Sequence, residues 1–243
     1  MLHLILVCLW AFLTLALLGI PILLVSFLIG LVSPSLKDRI IMRWVVVVTS
    51  GITLLSGERI VAEGVENIPA DTNVLYISNH RSFYDIFTAY RYFRGCCGCV
   101  SKLEWKKIPV LKQWMDGLHC AFLDRSSPRA GLKIFVVVAE ELRNGRSFWV
   151  CPEGTRSHGD TMLPFHEGSF RPAFQTGRPI LPFVLVRTDD IFEKHLPWVR
   201  PGRVHIRFLE PVPTEGLNKA EQKALIGEIR DRIQAAYDEL KDA

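Results

Sequence analysis

Apolar positions run from Met1 to Val32 without one charged side chain, and the first charge in the chain is Lys37. As straight helix this run would measure about 48 Å, against roughly 30 Å of bilayer hydrocarbon. It must therefore tilt, kink or fold back, and Gly19-Ile20-Pro21 is the expected place for a break. A missing basic n-region and the length of the run argue against a cleaved leader. Lys37, Arg39 and Arg43 follow at once, which puts the rest of the chain on the cytoplasmic side. A second apolar stretch, Trp44 to Leu55, is too short to span and reads as interfacial or packed helix.

Downstream the pattern changes to short apolar runs separated by helical periodicity. Val74–Ser78, Cys99–Ser101, Cys120–Leu123, Phe148–Cys151, Ile180–Val186 and Val204–Leu209 are apolar or β-branched and are bounded by Gly, Pro or Asn, as strands are. Ser127-Pro128 supplies an N-cap and a first-turn proline, Leu132, Phe135, Val136, Ala139 and Leu142 follow as a stripe, and Asn144-Gly145 ends it. Leu225, Ile229, Ile233, Ala236 and Leu240 mark one face of a last helix, Leu217–Leu240, that packs on the domain. Strands alternating with helices predict an α/β fold: a mixed, largely parallel sheet covered by helices. An N-terminal hydrophobic membrane helix or helical hairpin precedes it. The expected division is a membrane anchor at 1–36, an interfacial helical segment at 37–60 and one α/β domain at 61–243.

Composition adds little except by exclusion. A net charge of +4, from 29 Lys+Arg against 25 Asp+Glu, does not suit a nucleic-acid binder. Six cysteines include Cys96-Cys97-Gly98-Cys99, but no second CxxC pair or histidine partner stands at zinc-finger spacing from it, and they read as small buried thiols.

Four stretches carry candidate chemistry. In Asn79-His80-Arg81-Ser82-Phe83-Tyr84-Asp85, positions five apart cannot share a helix face. His80 and Asp85 meet only if His80 sits ahead of the helix, in the strand-to-helix turn, with Ser82 as N-cap. Asp85 then either orients a catalytic ring or caps the helix. Ala121-Phe122-Leu123-Asp124-Arg125 ends a strand in a charged pair, and Arg125 offers forked donors to a phosphate or lies in a surface loop. Cys151-Pro152-Glu153-Gly154-Thr155-Arg156 follows a strongly apolar strand. Gly177-Arg178-Pro179-Ile180-Leu181-Pro182-Phe183 has two prolines in a strand-like run, which predicts an edge strand or one that begins late.

In the order "NHRSFYD", "FLDR", "PEGTR" and "GRPILP" the chain resembles the glycerolipid acyltransferase family with its HxxxxD motif, and within it the 1-acylglycerol-3-phosphate acyltransferases. The resemblance runs from about Leu75 to Val186. It implies a catalytic domain in which His80 is the general base for the free hydroxyl of a lysophospholipid, with Asp85 orienting the ring. It further implies that Arg125 and Arg156 hold a phosphate, that Glu153, Gly154 and Thr155 shape the glycerol site, and that Lys102 is a third phosphate ligand. The acyl donor would be acyl-CoA or acyl carrier protein, a substrate rather than a cofactor, and no metal is called for. The expected product is phosphatidic acid, made at the inner (cytoplasmic) membrane; another lysolipid acceptor, such as lyso-ornithine lipid, and a non-catalytic lipid-binding protein are the alternatives. Three positions depart from the family pattern: His119 stands where glycine usually opens the second motif, His166 where "PFKxG" has lysine, and Cys151 where a larger apolar residue begins the third. Lys102, Trp105, Lys106, Lys107, Lys112 and Trp114 suit a headgroup-level surface or the phosphates of CoA, or else a solvated amphipathic helix.

Overall fold

The apolar N-terminus folds back on itself. In the computed structural model, which describes residues 1–123 and 128–242, α1 (Leu2–Ala11) continues through a π-helical segment, Phe12–Leu17, into α2 (Gly19–Gly30). The helix does not break at Gly19-Ile20-Pro21. Pro21 has no N–H for the ladder and crowds the carbonyl four residues back, and the wide turn just upstream absorbs this, with Leu18 N–H reaching Leu13 O at 2.9 Å. The reversal comes after Gly30, and α3 (Pro34–Ser56) returns antiparallel. Longer than the apolar run from Trp44, α3 reaches 23 residues, enough to cross a membrane by length and composition. The indoles of Trp10 and Trp44 donate across the hairpin to Val48 O and Thr14 O, which satisfies both N–H groups among apolar side chains. Gly51 makes room for the Trp10 ring, since a β-carbon there would lie 2.1 Å from it.

The hairpin is not a free stalk. Leu4, Val7 and Trp10 pack with Val48, Ile52, Tyr84, Ile191 and Val199, while Leu15, Ile22 and Leu23 lie against the cluster holding Ile41 and Trp114. α3 lies along the α/β domain against α4, α5 and β1, while the first arm packs mainly on α3 and meets the domain at points such as Leu15 O, which accepts the Trp114 indole N–H at 3.5 Å.

That domain is built on seven strands: β1 (Glu58–Glu63), β2 (Leu75–Ser78), β3 (Cys97–Lys102), β4 (Ala121–Leu123), β5 (Ser147–Val150), β6 (Ile180–Val186) and β7 (Gly202–Phe208). Their order is β1-β7-β6-β2-β5-β3-β4, and only the β6–β7 pair is antiparallel. The mixed, largely parallel sheet expected from the sequence is present, with β1 added to the six strands read there. Alternation along the strands fills two cores. Leu75, Ile77, Phe148, Val150, Val184 and Val186 face α6 (Pro128–Arg143), α7 (Arg171–Thr176) and α8 (Lys219–Leu240). Tyr76, Trp149, Leu181, Phe183 and Leu185 face the hairpin side with α4 (Asp85–Ala89) and α5 (Leu111–Gly117). Each face is buried, as helices on both sides of a parallel sheet require.

The two-proline strand is not an edge. β6 lies between β7 and β2, with Pro182 opposite Ile77. Ile180 N–H goes to Val212 O, and residues two apart along a strand turn their N–H to the same side. Pro182 O accepts Leu209 N–H at 2.9 Å, so the proline forgoes only the return bond, at the end of β7 where the pairing register shifts by one residue before Ile180 meets Val212.

Candidate active site

Because β2, β3, β4, β5 and β6 run parallel, their C-terminal ends lie on one edge of the sheet, where open α/β sheets place their ligand sites. His80 follows β2, Lys102 ends β3, the Glu153 loop follows β5 and Thr188 follows β6. β4 leads toward Arg125, which lies outside the described residues.

The turn after β2 is fixed before any chemistry is considered. Asn79 is buried, and its side-chain amide donates to Leu185 O at 2.8 Å while its oxygen accepts Leu185 N–H at 2.9 Å, a side chain imitating a strand partner. His80 then stands ahead of α4, as the five-residue spacing demanded. Ser82 is not the N-cap, which is Tyr84. Instead the Ser82 hydroxyl accepts Tyr84 N–H and its carbonyl accepts Asp85 N–H, and this tight turn sets Asp85 at the first helical position.

Asp85 is wholly buried, and each of its contacts is a donor. Oδ2 accepts His80 Nδ1–H at 2.7 Å, Arg81 N–H at 2.8 Å and Ser82 N–H at 3.0 Å, and Oδ1 accepts the Thr188 hydroxyl at 2.5 Å. Capping and ring orientation, alternatives in the sequence, are done by one carboxylate. With Nδ1–H committed to Asp85, the lone pair of His80 is on Nε2, and the side chain is 27% exposed. The ring offers an acceptor at the open edge of the sheet.

The loop after β5 holds the His80 backbone from both sides. Glu153 Oε1 accepts His80 N–H at 2.9 Å, and Ser157 N–H donates to His80 O at 2.9 Å. Glu153 Oε2 accepts Leu163 N–H at 2.9 Å, so both oxygens of this buried carboxylate are taken by backbone amides. Glu153 therefore holds the His80 turn in place, with both carboxylate oxygens engaged by backbone. Gly154, in the left-handed region at φ 67°, and Thr155 are exposed beside it. Arg156 donates to Glu193 Oε1 at 3.1 Å and is 36% exposed, so part of its fork remains reachable.

Glu193 and Thr188 have no signal in the sequence, since both lie in short turns after β6, 111 residues from Ser82 and 103 from Asp85 respectively. Glu193 also accepts the Ser82 hydroxyl at 2.5 Å and Phe83 N–H at 2.7 Å, tying the His80 turn to Arg156. Arg81 is structural. It donates to Gly159 O and Asp189 and lies 5.1 Å over the Tyr237 ring of α8. Burial alone would raise the Asp189 carboxyl, but Arg81 and Lys194 beside it hold it below the usual range.

Lys102 is exposed at the end of β3. The basic–aromatic stretch beyond it is not one helix: a 3₁₀ turn, Leu103–Lys107, and α5 are separated at Val110, whose φ is 67°. Trp105 stacks on Phe83 at 5.7 Å, which brings this turn against the His80 loop, and Lys106 lies 4.7 Å over Phe122. Cys151 is no rival nucleophile to a substrate hydroxyl. Burial first, then Asp85, pushes its thiol well above its ordinary range.

An imidazole held by a buried carboxylate at the open edge of the sheet, with Lys102 exposed and Arg156 part-exposed at the same edge, suits proton transfer from a bound hydroxyl. Comparison with known proteins points the same way. A sequence model described as Acyltransferase matches residues 59–186. A 1-acyl-sn-glycerol-3-phosphate acyltransferase alpha of Ovis aries is 32% identical over 192 residues, 78% of this chain and 66% of that protein. A 1-acyl-sn-glycerol-3-phosphate acyltransferase of Borreliella burgdorferi is 29% identical over 77% of this chain and 75% of its own length. The crystal structure of the 1-acyl-sn-glycerophosphate (LPA) acyltransferase PlsC from Thermotoga maritima superposes with a TM-score of 0.83 at 27% identity, over 98% of this chain and 95% of that one. This chain, spanning 66% of the length of the sheep protein it matches, belongs to the acyltransferase family.

Proposed function

We propose that the protein transfers an acyl chain from a thioester donor, acyl-CoA or acyl carrier protein, to the free hydroxyl of 1-acylglycerol-3-phosphate, giving phosphatidic acid. The observation that carries this reading is the 2.7 Å contact of His80 Nδ1 with buried Asp85, which leaves Nε2 turned to the open edge of the sheet. His80 Nε2 takes the hydroxyl proton as the oxygen attacks the thioester carbonyl, and Asp85 steadies the imidazolium. The tetrahedral adduct collapses, the carbon–sulfur bond breaks, and the thiolate takes the proton back from His80. The substrate supplies the nucleophile, so no covalent acyl-enzyme is formed. General-base catalysis contributes about 10²- to 10⁴-fold, and positioning supplies the rest.

Arg156, Lys102 and Arg125 are the proposed phosphate ligands, with Gly154 and Thr155 lining the glycerol site. Arg156 enters this role already oriented by Glu193. The hairpin, whose exposed face carries Leu2, Ile5, Leu9 and Phe12, embeds in the membrane. Because the domain lies along α3, the inner arm of the hairpin, embedding within one leaflet is favoured over a crossing that would bring the domain's polar groups into hydrocarbon. Lys37, Arg39 and Arg43 favour the cytoplasmic face.

The test is an assay of membrane fractions with lysophosphatidic acid and a labelled acyl-CoA, for wild type and His80→Ala. Phosphatidic acid from wild type alone is the expected result. Equal product from both would remove His80 from the chemistry, and product from neither, with acyl carrier protein and other lysolipids also tried, would leave a binding protein.

A further inference from the structure

A second polar cluster lies away from His80, where the hairpin meets the domain. Asp38 comes from α3, Cys96 stands just ahead of β3, and His119 is in the turn between α5 and β4. One ligand-type atom from each lies within 4.8 Å of the other two. Asp38 Oδ1 is 3.0 Å from His119 Nε2.

The groups around the three are those that usually support a metal site. Glu141 Oε2 faces His119 Nδ1 at 3.6 Å, and Arg146 Nε donates to Asp38 Oδ2 at 2.7 Å. A carboxylate behind a ligating imidazole and a donor on the spare oxygen of a ligating carboxylate orient ligands in this way. Arg146 also reaches Glu141 at 3.0 Å, closing the outer ring. A cleft of about 370 Å³, lined by Asp38, Cys96, Arg39 and Arg146 among others, opens on the cluster.

His119 adopts φ 60°, in the left-handed region where glycine is at ease, and its ring is what joins Asp38.

We propose that Asp38, Cys96 and His119 bind a divalent transition-metal ion, zinc by its preference for mixed sulfur, nitrogen and oxygen ligands, and that the ion clamps the hairpin to the α/β domain. Loading expels the Cys96 thiol proton to solvent and leaves His119 neutral, with its proton on Nδ1 toward Glu141. No electron is transferred, and the fourth position is left to a water from the cleft.

The experiment uses the full chain in detergent, stripped of metal, kept reduced and titrated with Co²⁺, whose thiolate complexes absorb strongly in the near ultraviolet. Wild type is expected to take up one Co²⁺ with a thiolate charge-transfer band that Zn²⁺ abolishes. Cys96→Ser loses the band, and Cys120→Ser, whose thiol pairs with Cys99 instead, keeps it. Glu141→Gln keeps the band but weakens Co²⁺ binding about 10- to 100-fold. His119→Gly, which relieves the backbone and so folds, binds at least as weakly. No band in reduced wild type, or a band that survives in Cys96→Ser, overturns the proposal.

Discussion

The molecule holds two clusters of buried charge, and they are built in opposite ways. At the edge of the sheet, Asp85 gathers four donors, three of them from residues within five positions of itself. At the hairpin junction, Asp38 is held by His119 and Arg146, 81 and 108 residues away. A cluster closed by its own turn is set by local geometry before the domain is complete. One closed over such distances forms only when the hairpin docks. The first should govern the reaction and the second the attachment of the hairpin.

The comparison breaks most visibly at Asp85. Asp85→Asn removes the charge that steadies an imidazolium, and an amide nitrogen at the Oδ2 position would also face the Arg81 and Ser82 N–H groups and turn the His80 tautomer. The analogous change in a serine-protease triad costs about 10⁴-fold in kcat, and a loss of 10³- to 10⁴-fold is expected here. Asp38→Asn should instead lower the melting midpoint by an amount worth about 1–3 kcal/mol, the cost of leaving buried partners poorly satisfied. Rate assays and melting curves on both variants check this. Equal effects on rate would mean the two clusters are not separate.

Glu58 sharpens the contrast, because it too is buried but far less well served than Asp85. It accepts the Thr88 hydroxyl on Oε1, while Oε2 has no partner among the described residues. Burial pushes its carboxyl up to about 7. Between pH about 4.5, its ordinary value, and about 7, the native state keeps a proton that the unfolded chain has released, so stability falls as pH rises through that window and stays low above it. Glu58→Gln mimics the protonated form. It should stabilise the protein at pH 8 by on the order of 3 kcal/mol and match wild type near pH 4.5, by denaturant melts at both values. A gain that does not fade toward acid pH would point to packing instead of charge.

These carboxylates also show where a sequence is legible. The His80–Asp85 geometry was readable because its logic is local: a strand, a turn and a five-residue spacing. The β-branched strands and the α8 stripe were readable because their periodicity reports burial. What was missed depends on residues distant in sequence. β1, Glu58-Arg59-Ile60-Val61-Ala62-Glu63, has charged ends and becomes a strand by pairing with β7, 144 positions on. Pro182 does not mark an edge, because the single ladder bond it forgoes falls at the end of β7, where the pairing register shifts. Glu193 and Thr188 carried no signal. The Asp38, Cys96 and His119 cluster shows no motif at all, since its members share no segment.

Glu153 tests how far the local cluster extends. Glu153→Gln keeps one backbone N–H bond and sets its amide against the other, so His80 shifts without being removed. A fall in kcat of about 10-fold, equivalent to about 1.4 kcal/mol, with little change in KM for the acceptor is expected from steady-state rates. A large rise in KM with kcat intact would mean that Glu153 touches substrate after all.

The smallest expected effect separates backbone strain from site geometry. Gly154 and Gly145 both have positive φ, at 67° and 82°, so alanine at either costs about 1–2 kcal/mol in the left-handed region. They differ in what the new β-carbon meets. At Gly145 nothing lies within 4 Å, whereas at Gly154 the His166 ring is 3.3 Å away and must give by a few tenths of an ångström. Melting curves should therefore place the two variants close together, with Gly154→Ala slightly the lower. Rates should part them, because Gly145 ends α6 far from the sheet edge while Gly154 follows Glu153 directly in the loop that holds His80. A several-fold loss in Gly154→Ala alone would show that the loop transmits a shift of tenths of an ångström to the base. Equal rates would mean that the bonds from Glu153 and Ser157 isolate His80 from the exposed half of its own loop.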